Sequence, residues 1–343
     1  MPRSVSNPPN PWQSVHAEWL GEPPSAELEI FEEEARSIIA ENDSPDVGFR
    51  YSVNPYRGCF HSCAYCYARP THQYLGWGAG TDFDRKIVAK VNAPELLRRE
   101  LLRPSWKGET IVFSGVTDCY QPTEAVYGLT RRCLEICAEF RNPVGIVTKG
   151  ALIRRDLDLL GAMARETDVD VYISLVFADD RMAKAIEPNV SPPSQRFETI
   201  AAVAAAGIRT GIAVAPVIPG LNDSDIPALL SRARAAGASG AFLTLLRLPA
   251  ETRLVFEERL TAAFPDRAAK IWSNLEQTRG GRRNDPRFGS RMEGVGPRWE
   301  AIERLFAVEC RRLGLNRGHE DRGAHTSTFR RPPAAQRSLF DAP

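Results

Sequence analysis

Short apolar runs alternate with longer amphipathic stretches between about residues 48 and 265. The run Val144–Thr148 is largely apolar, a composition typical of a strand that is buried on both faces of a parallel sheet. The stretches between such runs repeat apolar residues every three or four positions, which predicts helices. The pattern predicts six strands, at residues 50–54, 110–114, 144–148, 169–177, 209–218 and 241–246. It predicts helices at residues 93–103, 123–140, 154–165, 194–206, 223–236 and 251–264.

Six successive β/α units predict one parallel sheet that is covered by helices. An α/β fold of this kind is an open or partial TIM-like barrel, in which ligands bind at the carboxyl ends of the strands. We therefore predict a core barrel over residues 48–265, with functional side chains directly after its strands.

The two flanks of this core lack its alternation. Residues 1–47 form a predicted N-terminal extension that is partly disordered and acidic, and the apolar spacing of residues 27–39 predicts a short helix. Residues 266–316 form a predicted Arg-rich helical extension, with an amphipathic helix at residues 298–313. Residues 317–343 are rich in Arg, Gly and Pro and are predicted to be a flexible tail.

Composition places the chain among ordinary globular proteins. Of its 343 residues, 43% are hydrophobic and 25% are charged, and the formal net charge is +1. The charge is unevenly distributed, because residues 279–337 contain 14 Arg against seven acidic residues. Such a segment suits a polyanion such as nucleic acid, although a charged run is also typical of a solvated surface.

The chain has no run of 18 apolar residues, and its first residues lack the apolar core of a signal peptide. We therefore expect a cytoplasmic protein without a membrane segment. Seven Cys is an odd number, which does not suggest a disulfide framework. Cys133, Cys137 and Cys310 lie among apolar residues of predicted helices and are expected to be packing thiols.

Three other cysteines are closely spaced in one loop. Cys59, Cys63 and Cys66 follow Gly58 with C-x3-C-x2-C spacing, after the first predicted strand. Iron–sulfur clusters are usually held by four thiolates, so three from one loop would leave one iron of a cubane open to a ligand. A tetrahedral zinc site is an alternative, with His61 turned inward between the first two cysteines.

The motif resembles the C-x3-C-x-aromatic-C signature of the radical S-adenosylmethionine (SAM) superfamily, with Tyr65 as its aromatic residue. The resemblance implies a (β/α)6 partial TIM barrel and a [4Fe-4S] cluster that is bound by the three cysteines. It also implies that SAM chelates the open iron through its amino and carboxylate groups. An electron from a donor such as flavodoxin or ferredoxin then cleaves the sulfonium, and the resulting 5′-deoxyadenosyl radical abstracts hydrogen.

Small or polar residues follow the next predicted strands, where such a cofactor would lie. Gly115 would let a ligand approach the backbone closely, and Lys149 could pair with the carboxylate of SAM. Each of these positions also fits an ordinary structural role in a turn, a helix cap or the core. The candidates for SAM binding at the strand ends are Ser114, Gly115, Thr117, Lys149, Ser174 and Asn222.

Several of these residues together resemble the spore photoproduct lyase branch of the superfamily, often described as DNA repair photolyase-like. The shared features are Tyr67 after the third cysteine, Thr117-Asp118 after strand two, Thr148-Lys149 after strand three, and Ser174 on strand four. The resemblance implies that Lys149 and Ser174 bind SAM, that Tyr67 relays a hydrogen atom, and that a lyase reaction repairs DNA. The branch has a hydrogen-donating cysteine where this chain has Gly115, and Cys119 is the candidate to replace it.

Gln336, Leu339 and Phe340 resemble the short Gln-x-x-Leu-Phe peptide by which bacterial DNA polymerases and repair factors dock on the sliding clamp. The combined hypothesis is a radical SAM enzyme that acts on damaged or modified nucleic acid and contacts DNA through its Arg-rich end. Two alternatives remain open. One is a radical SAM enzyme that modifies RNA or a peptide, and the other is a non-enzymatic metal-cluster protein that binds nucleic acid.

Overall fold

The computed structural model describes residues 7–12, 27–317 and 327–332. Ten strands lie within these residues: β1 (Glu29–Glu33), β2 (Ile39–Glu41), β3 (Tyr51–Val53), β4 (Tyr56–Arg57), β5 (Lys86–Lys90), β6 (Ile111–Phe113), β7 (Val144–Thr148), β8 (Val169–Ser174), β9 (Arg209–Val217) and β10 (Gly240–Leu245). The same residues contain eleven α-helices: α1 (Thr81–Arg85), α2 (Ala93–Leu101), α3 (Glu124–Tyr127), α4 (Leu129–Glu139), α5 (Leu157–Ala164), α6 (Asp180–Ile186), α7 (Pro193–Ala205), α8 (Ile226–Ala235), α9 (Thr252–Ala263), α10 (Pro265–Gln277) and α11 (Pro297–Leu313). None of these helices combines the length and the apolar character needed to cross a membrane.

Six parallel strands form the main sheet in the order of the chain. β3, β6, β7, β8, β9 and β10 are each hydrogen-bonded to the next, and β2 pairs antiparallel with β3 at one edge. These six strands coincide with the six apolar runs of the sequence, and helices lie between successive strands along the chain. The prediction of a (β/α)6 partial barrel is therefore confirmed.

The core lies between this sheet and the helices that cover it. Ile146 on β7 pairs in register with Val171 on β8, and both side chains are buried, so apolar groups line up across the sheet. Cys133 and Cys137 on α4 are fully buried in the same core, and Cys310 on α11 is 6% exposed. All three lie where packing thiols are expected.

The acidic N-terminal stretch does not form the helix that was predicted for residues 27–39. Instead β1 pairs in parallel with β5, which pairs antiparallel with β4, and the three strands form a second, small sheet. Ile38 and Ile39 donate their backbone N–H groups to the buried carboxylate of Glu100, at 2.9 and 3.0 Å. The prediction was wrong because apolar spacing in a short segment cannot reveal distant backbone partners, such as an open strand edge or Glu100.

The chain after the barrel continues with α10 and then with the loop at residues 284–296, which bridges the open side of the barrel. The backbone N–H of Leu245, at the end of β10, donates to the carbonyl oxygen of Met292 at 3.0 Å. Arg291 in the same loop pairs with Asp46, which lies in the connection between β2 and β3. The loop therefore joins the two ends of the main sheet.

Candidate active site

A cavity of about 260 Å³ opens at the carboxyl ends of the parallel strands. Its walls come from the residues after β6 and β10 and from the ends of β7, β8 and β9. The loop after β4, which carries the three closely spaced cysteines, also contributes to its wall. The cavity therefore lies where ligands bind in β/α barrels.

Cys59, Cys63 and Cys66 all line this cavity, and the first two are each 7% exposed. The loop leaves β4 through Gly58, whose φ is +73°. A Cβ atom at this position would lie 2.8 Å from Cε1 of His72, so the turn requires glycine. The turn presents three thiols to one space, and thiolates are the ligands of iron–sulfur clusters.

A zinc ion fits these residues less well than a cluster does. In the part of the chain that the structure describes, no three His, Cys, Asp or Glu side chains are grouped closely enough to hold one metal ion. His61, the fourth ligand of the zinc alternative, has its Nδ1 atom 3.3 Å from a carboxylate oxygen of Asp118. Burial lowers the pKa of His61, but the charges of Cys59 and Asp118 outweigh burial and raise this pKa to about 10.

Arg69 holds the cysteine loop through its backbone. The side chain is fully buried, and its guanidinium donates to the carbonyl oxygen of Cys63 at 3.0 and 3.1 Å. It also donates to the carbonyl oxygens of Ala79 and Gly80, both at 3.0 Å, and pairs with Asp84 at 2.9 Å. The sequence did not indicate this role, because most of the acceptors are backbone atoms and one arginine leaves no periodic pattern.

Two polar side chains after β6 hold the same loop. Thr117 lines the cavity, but its hydroxyl donates to the carbonyl oxygen of Gly58 at 2.6 Å. Gln121 is fully buried, donates to the same oxygen at 3.2 Å, and accepts from the backbone N–H of Phe60 at 2.9 Å. Because the hydroxyl hydrogen of Thr117 is used by the loop, the residue positions the loop instead of donating to SAM.

Ser114 and Gly115 begin the turn after β6, and both line the cavity. Ser114 has a φ of +82°, and its hydroxyl oxygen accepts from the backbone N–H of Cys119 at 2.9 Å. The hydroxyl hydrogen of Ser114 is left for a ligand. A Cβ atom at Gly115 would lie 3.2 Å from the hydroxyl oxygen of Ser52, so a larger residue would force this wall to shift.

Lys149, Ser174 and Tyr65 come together in the same cavity. The Nζ atom of Lys149 lies 5.6 Å from the centre of the Tyr65 ring, and Ser174 donates to the carbonyl oxygen of Ala215 at 3.3 Å. Burial lowers the pKa of Lys149, but nearby negative charges, with Cys63 first among them, outweigh burial and raise it. Lys149 is therefore a cation close to the thiols, as its predicted role demands.

Asp118 is the centre of a polar network between the ends of β6 and β7. Its carboxylate accepts from the hydroxyl of Thr148 at 2.6 Å and from the backbone N–H groups of Lys149 at 2.7 Å and Tyr120 at 2.9 Å. Burial raises the pKa of Asp118, but His61 and these hydrogen bonds outweigh burial and lower it to about 2. The sequence indicated Asp118 by its place in the turn after a strand and by the Thr117-Asp118 pair, and neither signal reveals the partners.

Cys119 and Asn222 do not line the cavity, contrary to the predictions for them. Cys119 is fully buried in the core, and burial raises the pKa of its thiol well above the ordinary value. Asn222 is also fully buried, and its amide group accepts from the backbone N–H of Ile218 at 2.6 Å and donates to the carbonyl oxygen of Val176 at 2.7 Å. Cys119 is corrected to a packing thiol, and Asn222 to a residue that shapes the turn after β9.

Tyr67 and Arg247 form a half-exposed part of the cavity wall. Tyr67 is 46% exposed, and its hydroxyl donates to the carbonyl oxygen of Gly115. Burial of this hydroxyl, together with the charge of Cys66, raises the pKa of Tyr67 to about 12. The guanidinium carbon of Arg247, a residue that the sequence did not indicate, lies 6.0 Å from the centre of the Tyr67 ring. Apolar side chains of the same cavity are Val47, Phe49, Phe242 and Met292.

The Arg-rich segment after the barrel uses several of its arginines in internal ion pairs. Arg283 pairs with Glu257 and Glu276, and Arg291 pairs with Asp46. Contact with a polyanion through this segment remains a prediction, and it applies to fewer side chains than the composition suggests.

The predicted clamp-binding peptide, with Gln336, Leu339 and Phe340, lies outside the described residues. Its docking on the sliding clamp stays a prediction.

Three known proteins are compared with this chain. A family model described as the Radical SAM superfamily matches residues 53–233, more than half of the chain. An uncharacterized protein of Mycobacterium tuberculosis is 43% identical over 220 residues, which are 64% of this chain and 65% of that protein. A protein of Pseudomonas phage M6 named Radical SAM Nalpha-GlyT isomerase is 28% identical over 226 residues, which are 65% of this chain and 45% of that protein. The chain thus spans less than two thirds of the length of these relatives.

The third protein is a spore photoproduct lyase that was solved in complex with dinucleoside spore photoproduct. The TM-score is 0.59 at 16% sequence identity, and the match covers 83% of this chain and 80% of that chain. At this identity the likeness shows a common fold and leaves the substrate open.

Proposed function

The chain belongs to the radical SAM superfamily, and we propose that its substrate is damaged or modified nucleic acid. Members of the superfamily are enzymes that use a [4Fe-4S] cluster and SAM, so the alternative of a non-enzymatic binding protein is set aside. When bound, the reduced cluster and SAM supply a 5′-deoxyadenosyl radical, and the electron comes from a donor. The single observation that carries the proposal is the cavity in which three thiols, Lys149 and Tyr67 lie together.

The residues of the cavity divide into cofactor-binding and substrate-facing groups. Cys59, Cys63 and Cys66 would hold the cluster, and the ammonium of Lys149 would pair with the carboxylate of SAM. The hydroxyl of Ser174 would bind the ribose. The other residues proposed to border the cofactor are Tyr65, Ser114 and Gly115. Thr117 would act indirectly, through the cysteine loop that it positions.

Tyr67 is the proposed residue for hydrogen-atom transfer. Tyr67 lines the cavity that the three cysteines also line, and its hydroxyl donates to the carbonyl oxygen of Gly115. Its pKa of about 12 keeps the phenol protonated near neutral pH, so that it carries a hydrogen to transfer. Cys119, which lies in the core, is not part of this proposal.

We propose a lyase-type reaction, with carbon–carbon bond cleavage in a damaged base, as part of DNA repair. The support is the fold shared with spore photoproduct lyase, together with the placement of Tyr67 directly after the third cysteine. The phage relative supports a second candidate, because it is named as an isomerase. Product analysis distinguishes bond cleavage from isomerisation.

The cluster is tested on protein reconstituted without oxygen. We expect about four irons per chain and 5′-deoxyadenosine formation from SAM under dithionite. Replacement of any one of Cys59, Cys63 and Cys66 by Ala should abolish both. Cys310→Ala is the matched control, because this thiol lies on α11 outside the cavity, and it should retain both. Retention of iron and SAM cleavage in all three cavity variants would contradict the assignment.

The substrate is tested with ultraviolet-irradiated DNA, with unirradiated DNA and irradiated RNA as controls. We expect native protein to remove a thymine photoproduct from the irradiated DNA, as monitored by mass spectrometry. The Tyr67→Phe variant should remove little of it. An active enzyme that cleaves SAM but leaves every nucleic acid unchanged would favour a peptide substrate.

A further inference from the structure

Arg247 lies two residues beyond the end of β10, the last strand of the main sheet, and its side chain lines the cavity. Within the described residues its guanidinium makes no hydrogen bond and no ion pair, and its Nε atom is buried without a partner. A partly buried guanidinium without an acceptor is costly, which makes the group a candidate for ligand binding.

The other basic groups of the cavity have anionic neighbours. In the described ranges, two further basic side chains line it, His61 and Lys149. The Nδ1 atom of His61 is 3.3 Å from Asp118, and the Nζ atom of Lys149 is 5.6 Å from the centre of the Tyr65 ring, whose hydroxyl donates to the carboxylate of Glu187. Arg247 therefore differs from both in having its charge available.

A second positive charge, that of Arg291, lies near Arg247. Asp46 acts on Arg247 at a distance, but this carboxylate is paired with Arg291. Burial, followed by the charge of Arg291, lowers the pKa of Arg247, which is the direction expected for a cation that lacks a close anion. An anion that enters this part of the cavity would be attracted.

Aromatic and apolar side chains occupy much of the remaining wall. The Tyr67 ring lies 6.0 Å from the guanidinium carbon of Arg247, and Phe49, Phe242 and Met292 line the same cavity. Flat apolar groups can stack on such side chains. An anion could instead accept hydrogen bonds from the guanidinium of Arg247, whose donors have no acceptor among the described residues. A ligand with a planar ring next to one negative charge fits both features.

We propose that Arg247 binds an internucleotide phosphate of the substrate beside Tyr67. The inference rests on the proposed nucleic-acid substrate. The guanidinium donates in a planar fork that matches two phosphate oxygens, and each internucleotide linkage places a phosphate next to a base. Binding there would hold the reacting nucleotide against the Tyr67 phenol, and a nucleoside without the phosphate would bind more weakly.

The test uses two probes that differ in one charge, both irradiated with ultraviolet light so that they carry a thymine photoproduct. The thymidine dinucleotide TpT has one phosphate diester, and its methylphosphonate analogue has a neutral linkage of similar shape. Calorimetric titration at low salt gives the ratio of their affinities for reconstituted native protein and for Arg247→Gln and Arg247→Lys. Arg304→Gln is the matched control, because Arg304 is an exposed arginine of α11 that lies outside the cavity.

Native protein and Arg304→Gln should prefer TpT roughly 10- to 100-fold, as expected for a charge-assisted hydrogen-bonded pair. The preference should fall to near unity in Arg247→Gln and be partly kept in Arg247→Lys, whose charge remains. An unchanged preference in Arg247→Gln, with a melting temperature like that of native protein, would overturn the inference and leave Arg247 as a support for the Tyr67 ring.

Binding of the two probes to native protein distinguishes failure of this inference from failure of the proposed function. Equal binding of the two probes would overturn the phosphate site alone. Failure of both probes to bind, in protein that contains iron and cleaves SAM, would overturn the nucleic-acid substrate and the phosphate site together.

Discussion

Two loops border the cavity near the two ends of the main sheet, and a buried arginine holds each of them. The cysteine loop, near β3, is held by Arg69, which donates to three backbone carbonyl oxygens and pairs with Asp84 at 2.9 Å. The loop at residues 284–296, next to β10, is held by Arg279, which donates to four backbone carbonyl oxygens. Neither arginine is more than 5% exposed.

The two arginines differ in their acidic partner. Arg69 has the buried carboxylate of Asp84, whereas the hydrogen-bond acceptors of Arg279 are neutral, and burial lowers the pKa of Arg279 to about 10. Loss of Arg69 would leave a buried charge unpaired, while loss of Arg279 would leave carbonyls in a loop that is largely exposed to water. The cofactor side of the cavity is thus fixed by an ion pair, and the other side by bonds that water can replace.

Arg69→Met should have the largest effect. It leaves the Asp84 carboxylate without its guanidinium, so we expect the free energy of unfolding to fall by about 3–5 kcal/mol. The cysteine loop should also lose its iron, because two of the hydrogen bonds that Arg69 donates end on the carbonyl oxygen of Cys63. Anaerobic urea unfolding and iron analysis measure both effects. Arg99→Met, an exposed arginine on α2, is the control and should change stability by less than about 0.5 kcal/mol.

A second variant isolates the contribution of the charge. The double variant Arg69→Met, Asp84→Leu removes the orphaned carboxylate together with the guanidinium. It should therefore unfold at a higher urea concentration than Arg69→Met alone. Equal stability of the single and double variants would show that the hydrogen bonds to the loop, and not the buried charge, cause the loss, and the contrast between the two loops would then disappear.

Arg279→Met should have a smaller effect that is confined to its own loop. We expect a loss of about 1–3 kcal/mol, since neutral acceptors are left behind. Hydrogen exchange at residues 284–296 should become faster, while the iron content stays at the native level. Arg282→Met, at an exposed position in the same segment, is the control. Loss of iron as complete as in Arg69→Met would contradict the division of the cavity into two independently held sides.

The fold was predictable because its signal is local and repeated. Each strand of the barrel is a compact apolar run, and six such runs with helices between them suffice for the topology. The segment at residues 27–39 had one short pattern and no repetition, and its true partners, β5 and Glu100, are more than 50 residues away. Where the backbone partners are distant in sequence, the spacing of apolar residues alone can predict the wrong type of secondary structure.

The candidate site was predictable where spacing itself carries chemistry, as in the three cysteines. Position after a strand was enough to bring Lys149 and Ser174 to the cavity, but it failed for Cys119 and Asn222. A strand end fixes where the backbone lies, and the following turn decides which side chains face inward. Arg69 and Arg247 were missed because an isolated arginine in a sequence is indistinguishable from a surface charge.

Thr117→Val should have the smallest effect, and it tests the cysteine loop alone. The variant keeps the shape of the side chain but loses the hydrogen bond donated to the carbonyl oxygen of Gly58 and the one accepted from Gln121 at 3.1 Å, which together should cost about 1–2 kcal/mol. Thr130→Val is a matched control, because its hydroxyl donates in the same way to the carbonyl oxygen of Cys119 at 2.7 Å, away from the loop. Thr117→Val should lose somewhat more stability in urea, because the Thr130 hydroxyl gives up one hydrogen bond. Only Thr117→Val should release iron faster to a chelator, since only its hydrogen bond ends on the loop that carries the thiols. Equal rates of iron release would mean that the loop is held by Arg69 and Gln121 without help from Thr117.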